Sequence, residues 1–288
     1  MTEQQNSTAA GYASPAQAKV KLDEKKDSLK KNKGSLLQTV LYGSIIPVAL
    51  IVLWELLSRA GIVPTNQLPA PTTILDKIIS LGQDGSLWGH IWITTYRVFA
   101  GFIIGTIAAI VLGSIVGFYK IAEQLFDPMI QAFRSIPSLA WVPLFILWMG
   151  IGETSKIVMI AVGGVFFPVY LNIVSGILGV DRKLIEVGKM YGLKTFQLVK
   201  RIILPASLPS FLVGMRSGLG LGWMFVVAAE LMGASQGLGF LLVFGQNMSS
   251  PETILASIIL FAIIGKLSDW ILKQVEVRSL HWQDRLEK

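Results

Sequence analysis

The sequence predicts an all-α membrane protein with six transmembrane helices, and three observations predict it. Apolar residues run in stretches of roughly 20, the length a helix needs to cross a bilayer core. Only 15% of the 288 residues are charged, and the mean hydropathy is +0.60; an ordinary soluble domain is about a quarter charged. The runs are continuous rather than alternating. That excludes a β-barrel pattern and fits segments that pair their backbone groups internally.

The elements follow in order. Residues 1–35 are polar, carry Lys19, Lys21, Lys25, Lys26, Lys30, Lys31 and Lys33, and lack the apolar core of a secretory signal. They read as a disordered cytoplasmic tail. A six-helix domain at 36–275 holds spans near 40–57, 92–117, 122–148, 156–177, 209–232 and 253–273. Pro47 is a kink in the first, and Pro137 and Pro143 interrupt the third. Both prolines leave carbonyls near positions 133 and 139 without their usual donors, which suits backbone lining a cavity. Between the first two spans, LPAPTTILDKIISLG reads as a short helix through Leu81, capped by Thr72 or Thr73 and lying along the outer membrane surface. Residues 276–288 form a cytoplasmic C-terminal tail.

Positive charge sets the orientation. With the N-terminus inside, cytoplasmic segments hold 18 of the 25 Lys and Arg, and external segments hold three: Arg59, Lys77 and Lys156. Both termini are then cytoplasmic. Small residues recur at four-residue spacing on the second span (Gly101, Gly105, Ala109, Gly113, Gly117) and the fifth (Gly214, Gly218, Gly222). This puts them on one helix face, where another backbone can approach closely.

Charges inside spans are costly and face a bundle interior or a wet cavity. Arg97, Arg134, Arg216 and Glu230 are therefore translocation-pathway candidates, with Ser135, Pro137, Trp141 and Trp223 beside them. Trp148 fits an interfacial belt. Lys266 and Asp269 are spaced as an i,i+3 pair.

The segment EVGKMYGLKTFQLVKRIILP, inside a polar loop at 179–208, is too shaped for a plain connection. Asp181 is a helix N-cap, and Leu184, Val187, Gly188 and Tyr191 share one face. Gly192 suits a left-handed helix end. Thr195 caps a second helix with Phe196, Val199, Ile202 and Ile203 on its apolar side, and Pro205 and Pro209 redirect the chain into the fifth span. A helix, a hinge and a second helix make a rigid knob for a groove on a soluble partner.

This segment resembles the EAA loop of the permease subunits of bacterial ABC importers. Glu186, Val187, Gly188, Gly192, Ile202, Leu204 and Pro205 stand at that loop's spacing, with Val187 and Gly188 in place of two alanines. LPAPTTIL, RSIPSLAWVPLFILWMGIGETSK, FFPVYLN, GVDRKLIEVGKMYG and VEVRSLHW extend the resemblance over about 36–284. They are similar to the nitrate/sulfonate/taurine branch, with the aliphatic-sulfonate type nearest. The resemblance implies a type I importer permease in the bacterial inner membrane, working as a homodimer with two cytoplasmic ATPase subunits and an external solute-binding protein. It makes 181–191 the coupling helix on the ATPase.

The residues agree on one point independently. Neither Gly188-Lys189 nor Gly265-Lys266 sits in a phosphate loop, so this chain has no cofactor of its own and ATP with Mg belongs to the partner ATPase. The chain has no cysteine and only two histidines, His90 and His281. These counts argue against a metal centre and, with no convergent nucleophile and base, against a membrane enzyme. Nothing resembles a nucleic-acid recognition motif, and the net charge of +7 suits anionic lipid. A stand-alone secondary transporter is the competing class, with Glu230 as its coupling acid, but no inverted repeat is visible. Nitrate and taurine remain alternative substrates.

Overall fold

The structure, a computed structural model, describes residues 42–281, and every regular element among them is helical. The lysine-rich tail at 1–35 and the last residues of the C-terminal tail, including Trp282, lie outside the described residues. The described residues divide into two compact units, with the boundary between Val63 and Pro64. In the first, helix α1 (Tyr42–Arg59) runs through Pro47 and is held near its end by an Arg59–Glu55 ion pair of 2.5 Å.

The second unit begins with α2 (Pro71–Gln83). Its start is set by Pro71 at the first helical position after Ala70, with no side-chain cap, so neither Thr72 nor Thr73 plays the capping role expected of it. Proline fits there because the first N–H of a helix has no intrahelical acceptor. Three long helices build the core: α3 (Ser86–Phe118), α6 (Glu153–Leu178) and α8 (Thr195–Leu231). Both α3 and α8 pack along α6. The glycine stripes explain how closely. A Cβ on Gly105 would lie 2.6 Å from the carbonyl oxygen of Ala161, and one on Gly164 of α6 would lie 3.0 Å from the Gly222 backbone of α8. Helices α9 (Leu238–Asn247) and α10 (Pro251–Ser279) pack together, and α2 lies on α10 and α3.

Five described helices are long and apolar enough to cross a bilayer. The third expected span is the exception: it is two helices, α4 (Lys120–Ser135) and α5 (Val142–Met149), joined through a 3₁₀ turn and bent by 90°. Ile136 is extended ahead of Pro137, as the ring of a following proline demands. The carbonyls expected to lose their donors keep them: Ile136 N–H reaches Phe133 and Val142 N–H reaches Leu139. Pro143 falls in the first turn of α5, where it breaks nothing.

The fifth span also differs from expectation. Pro205 and Pro209 do not redirect the chain, because α8 runs unbroken from Thr195. It passes Pro205 by widening into a π stretch over Val199–Ile203, and α6 does the same over Ile160–Phe166, ahead of Pro168. Each stretch ends two residues before a proline. A wider turn relieves the clash between the proline ring and the carbonyl one turn back.

Candidate functional site

Polar side chains gather in three places. The first is the hairpin between α6 and α8. Helix α7 (Arg182–Met190) is capped as its sequence requires, the Asp181 carboxylate accepting from Lys183 N–H at 2.9 Å. Gly192 has φ 76, a conformation that costs other residues, and turns the chain back. Thr195 is not the cap of the next helix. Lys194 holds that position, and its N–H donates to Gln197 Oε1 at 3.0 Å. Gly188 is buried where the two arms touch; a Cβ there would meet Ile202 Cδ1 at 2.5 Å and Leu198 Cδ2 at 2.6 Å. Those atoms end flexible side chains, so an alanine, the residue the EAA pattern carries here, fits with a small shift.

The outer surface of this hairpin carries large exposed apolar side chains among its charges. Met190 is 85% exposed, Tyr191 83% and Phe196 76%. Leu184 and Val187 are half exposed and Glu186 is exposed beside them. Leu204 and Pro205 lead into α8 proper.

The second place is a buried ion network at the opposite end of α8, about 39 Å away by the rise of the 26 residues from Pro205 to Leu231. Arg97 of α3 makes a forked contact to Glu153 at the start of α6, Nε to Oε2 and Nη2 to Oε1, both 2.6 Å. Its Nη1 donates to Glu230 of α8 at 2.6 Å and to the Gln236 carbonyl at 2.7 Å. Glu230 also accepts from Thr94 Oγ1 and from Gly239 N–H at 2.7 Å. Lys156 reaches Glu153 at 3.3 Å, and His90 Nδ1 accepts from Gly237 N–H at 3.0 Å. Two cations and two carboxylates balance. The side chains of Arg97 and Glu230 are 1% and 0% exposed, whereas Glu153 is 48% exposed. The chain after α8 wraps the Glu230 carboxylate so closely that a Cβ on Gly237, at φ 129, would lie 2.5 Å from both oxygens.

The third place joins α8 to α10. Arg216 donates to Asp269 from Nε at 2.7 Å and from Nη2 at 3.2 Å, and Glu276 lies 3.7 Å away. Lys266 touches Asp269 at 3.7 Å, so the i,i+3 pair read from the sequence exists but is secondary to the interhelical one.

The remaining pathway candidates scatter. Arg134 and Ser135 are exposed at the end of α4, Ser135 bonding the Ala132 carbonyl. Pro137 makes the bend, and Trp141 packs edge-on against Phe133. Trp148 is 65% exposed. Trp223 is buried, its Nε1 donating to Ser268 Oγ at 2.8 Å. The side chains of Arg97, Glu230 and Trp223 thus bind protein groups. Sequence reading missed Glu153, Lys156, Thr94, His90, Gly237 and Gly239. Lys156 was read as part of an external segment, but α6 starts at Glu153 and buries it.

Five helices long and apolar enough to cross a bilayer, with a structured hairpin between two of them, define a multi-span helical membrane protein. The chain belongs to the family described as binding-protein-dependent transport system inner membrane component, which matches residues 101–280. It is similar to the putative aliphatic sulfonates transport permease protein SsuC of Bacillus subtilis (strain 168). The two are 39% identical over 261 residues, 91% of this chain and 94% of that relative. The protein of the same name from Escherichia coli (strain K12) is 38% identical over 237 residues, 82% of this chain and 90% of its own. Among solved structures, the inward-facing MetNI methionine ABC transporter has a chain with the same fold, at TM-score 0.53 and 21% identity, covering 67% of this chain and 94% of that one. The chain is accordingly a multi-pass inner-membrane permease subunit of an ABC importer and not an enzyme.

Proposed function

We propose that this permease carries aliphatic sulfonates inward, as a homodimer served by two ATPase subunits and an external solute-binding protein. The hairpin at 181–205 is the part the ATPase grips, and it and both termini face the cytoplasm. ATP and Mg bind to the ATPase. Closure of the ATPase dimer pushes the hairpin, and α8, continuous with its second arm, carries that push into the bundle. The observation that carries this reading is the hairpin itself: capped at Asp181, turned at Gly192, packed at Gly188, and showing large apolar side chains that no described residue covers. Large exposed aromatic and aliphatic side chains on a rigid support are what a protein partner buries.

Sulfonate as cargo is supported by the two sulfonate-permease relatives. The test is uptake into proteoliposomes holding this chain with its ATPase, driven by ATP and fed by the binding protein. Labelled aliphatic sulfonate should accumulate, with nitrate and taurine competing poorly. Accumulation of nitrate or taurine in preference would reassign the cargo, and ATP-independent uptake by this chain alone would overturn the importer reading.

A further inference from the structure

The Arg97 network has two carboxylate arms that are built differently. Glu230 is sealed: its side chain is 0% exposed and is wrapped by Thr94, Gly237 and Gly239. Glu153 is half exposed and stands next to the three-residue link Gly150–Ile151–Gly152 between α5 and α6, with Gly150 at φ 75. Ile151 rests on Gly233, its Cγ2 lying 2.7 Å from where a Cβ would be, yet Ile151 is 66% exposed. One side of this contact is thus fixed in the core, and the other is an arm largely uncovered by the described residues.

We infer that Glu153 is the releasable arm of a latch. In each transport cycle the 150–153 arm leaves Arg97 and the turn at Gly233, while Arg97 stays on Glu230. The charges allow it. Arg97 keeps one buried counter-ion, so its own charge stays paired inside the protein. Glu153 moves off the half-exposed side of the network, away from the sealed one. Lys156 lies one turn further along the same helix, buried, and bonds the same carboxylate, so the release must also break that contact. The opposite motion, Glu230 leaving Arg97, would bury a bare carboxylate. Arg97 and Glu230 are therefore positioning residues, and Glu153 is the moving one. This inference rests on the transport role proposed above.

The chain has no cysteine, so a reversible lock can be installed cleanly. A Cβ at position 233 would lie 4.0 Å from Ile151 Cβ, within the range a disulfide spans. In the reconstituted transporter with its ATPase and binding protein, the oxidised Ile151→Cys/Gly233→Cys variant should lose at least tenfold in ATP-driven sulfonate uptake, and reductant should restore it. Equal uptake in both redox states, with the bond confirmed by mass shift, would overturn the latch while leaving the transport reading intact, since wild-type uptake tests that reading. Because a cysteine at φ 115 is strained, a second variant decides the case if the reduced form is inactive. Glu153→Gln should raise ATP hydrolysis without binding protein several-fold, and an unchanged rate would overturn the latch.

Discussion

Two arginines of this permease each hold two carboxylates, and the two sites behave as opposites. Arg97 and Arg216 both stitch α8 to neighbouring helices, about 21 Å apart by the rise of the 14 residues between Glu230 and Arg216. Around Arg97 the guanidinium and Glu230 are sealed from solvent. Around Arg216 the arginine is 38% exposed, Asp269 31% and Glu276 23%. A buried pair adds little net stability against an apolar substitute, but losing one partner strands a charge and costs about 3–5 kcal/mol. A partly exposed pair contributes about 0–1 kcal/mol where water reaches it, and salt then screens it. The same residue types therefore fix one end of α8 and only tether its middle. That asymmetry suits a helix joined directly to the hairpin proposed to receive the ATPase.

The comparison can be broken at either site. The largest effect is expected for Arg97→Met, which leaves Glu230 buried and unpaired. Thermal unfolding of the purified permease in detergent should register a loss of roughly 3–5 kcal/mol; a loss below about 1 kcal/mol would mean that water already reaches the network. Gly237→Ala comes next. Its Cβ would press on both Glu230 oxygens from a backbone conformation only glycine adopts readily, at a cost of about 1–3 kcal/mol by the same assay. Glu153→Gln should cost roughly 1 kcal/mol, since Arg97 keeps Glu230 and the lost charge is half solvated. The smallest change is expected for Asp269→Asn, at about 0–1 kcal/mol. That loss should shrink further as salt is raised, whereas the Arg97→Met loss should not.

What the sequence revealed depended on distance along the chain. The hairpin was legible because its signals are local. Asp181 caps a helix two residues on, and Gly192 sits where a helix must end. The break at Pro137 was legible for the same reason, though its 90° angle and the repair of the Phe133 and Leu139 carbonyls were not. Arg97 and Glu230 stood out singly as charges in apolar runs, but they are 133 residues apart and nothing in the spacing pairs them. Glu153 was hidden because it precedes the apolar run of α6 and looks like loop. Gly237 and Gly239 carry no signal in the sequence, because what they accommodate is the Glu230 carboxylate packed against them. Helix α9 escaped because ten residues are too few to register as a span. The prolines misled in α8, where a π stretch keeps the helix intact past Pro205.

The central claim is that an ATPase drives this permease through the hairpin at 181–205. The direct measurement is substrate-stimulated ATP hydrolysis by the assembled transporter carrying Gly192→Pro or Glu186→Arg. Proline cannot adopt the φ of 76 found at Gly192, and Glu186→Arg reverses a charge on the exposed face of α7 without touching the core. The account predicts that stimulation disappears in both variants, and that the ATPase no longer co-purifies, at unchanged permease abundance in the membrane. Full stimulation in both, with the ATPase still bound, would contradict it.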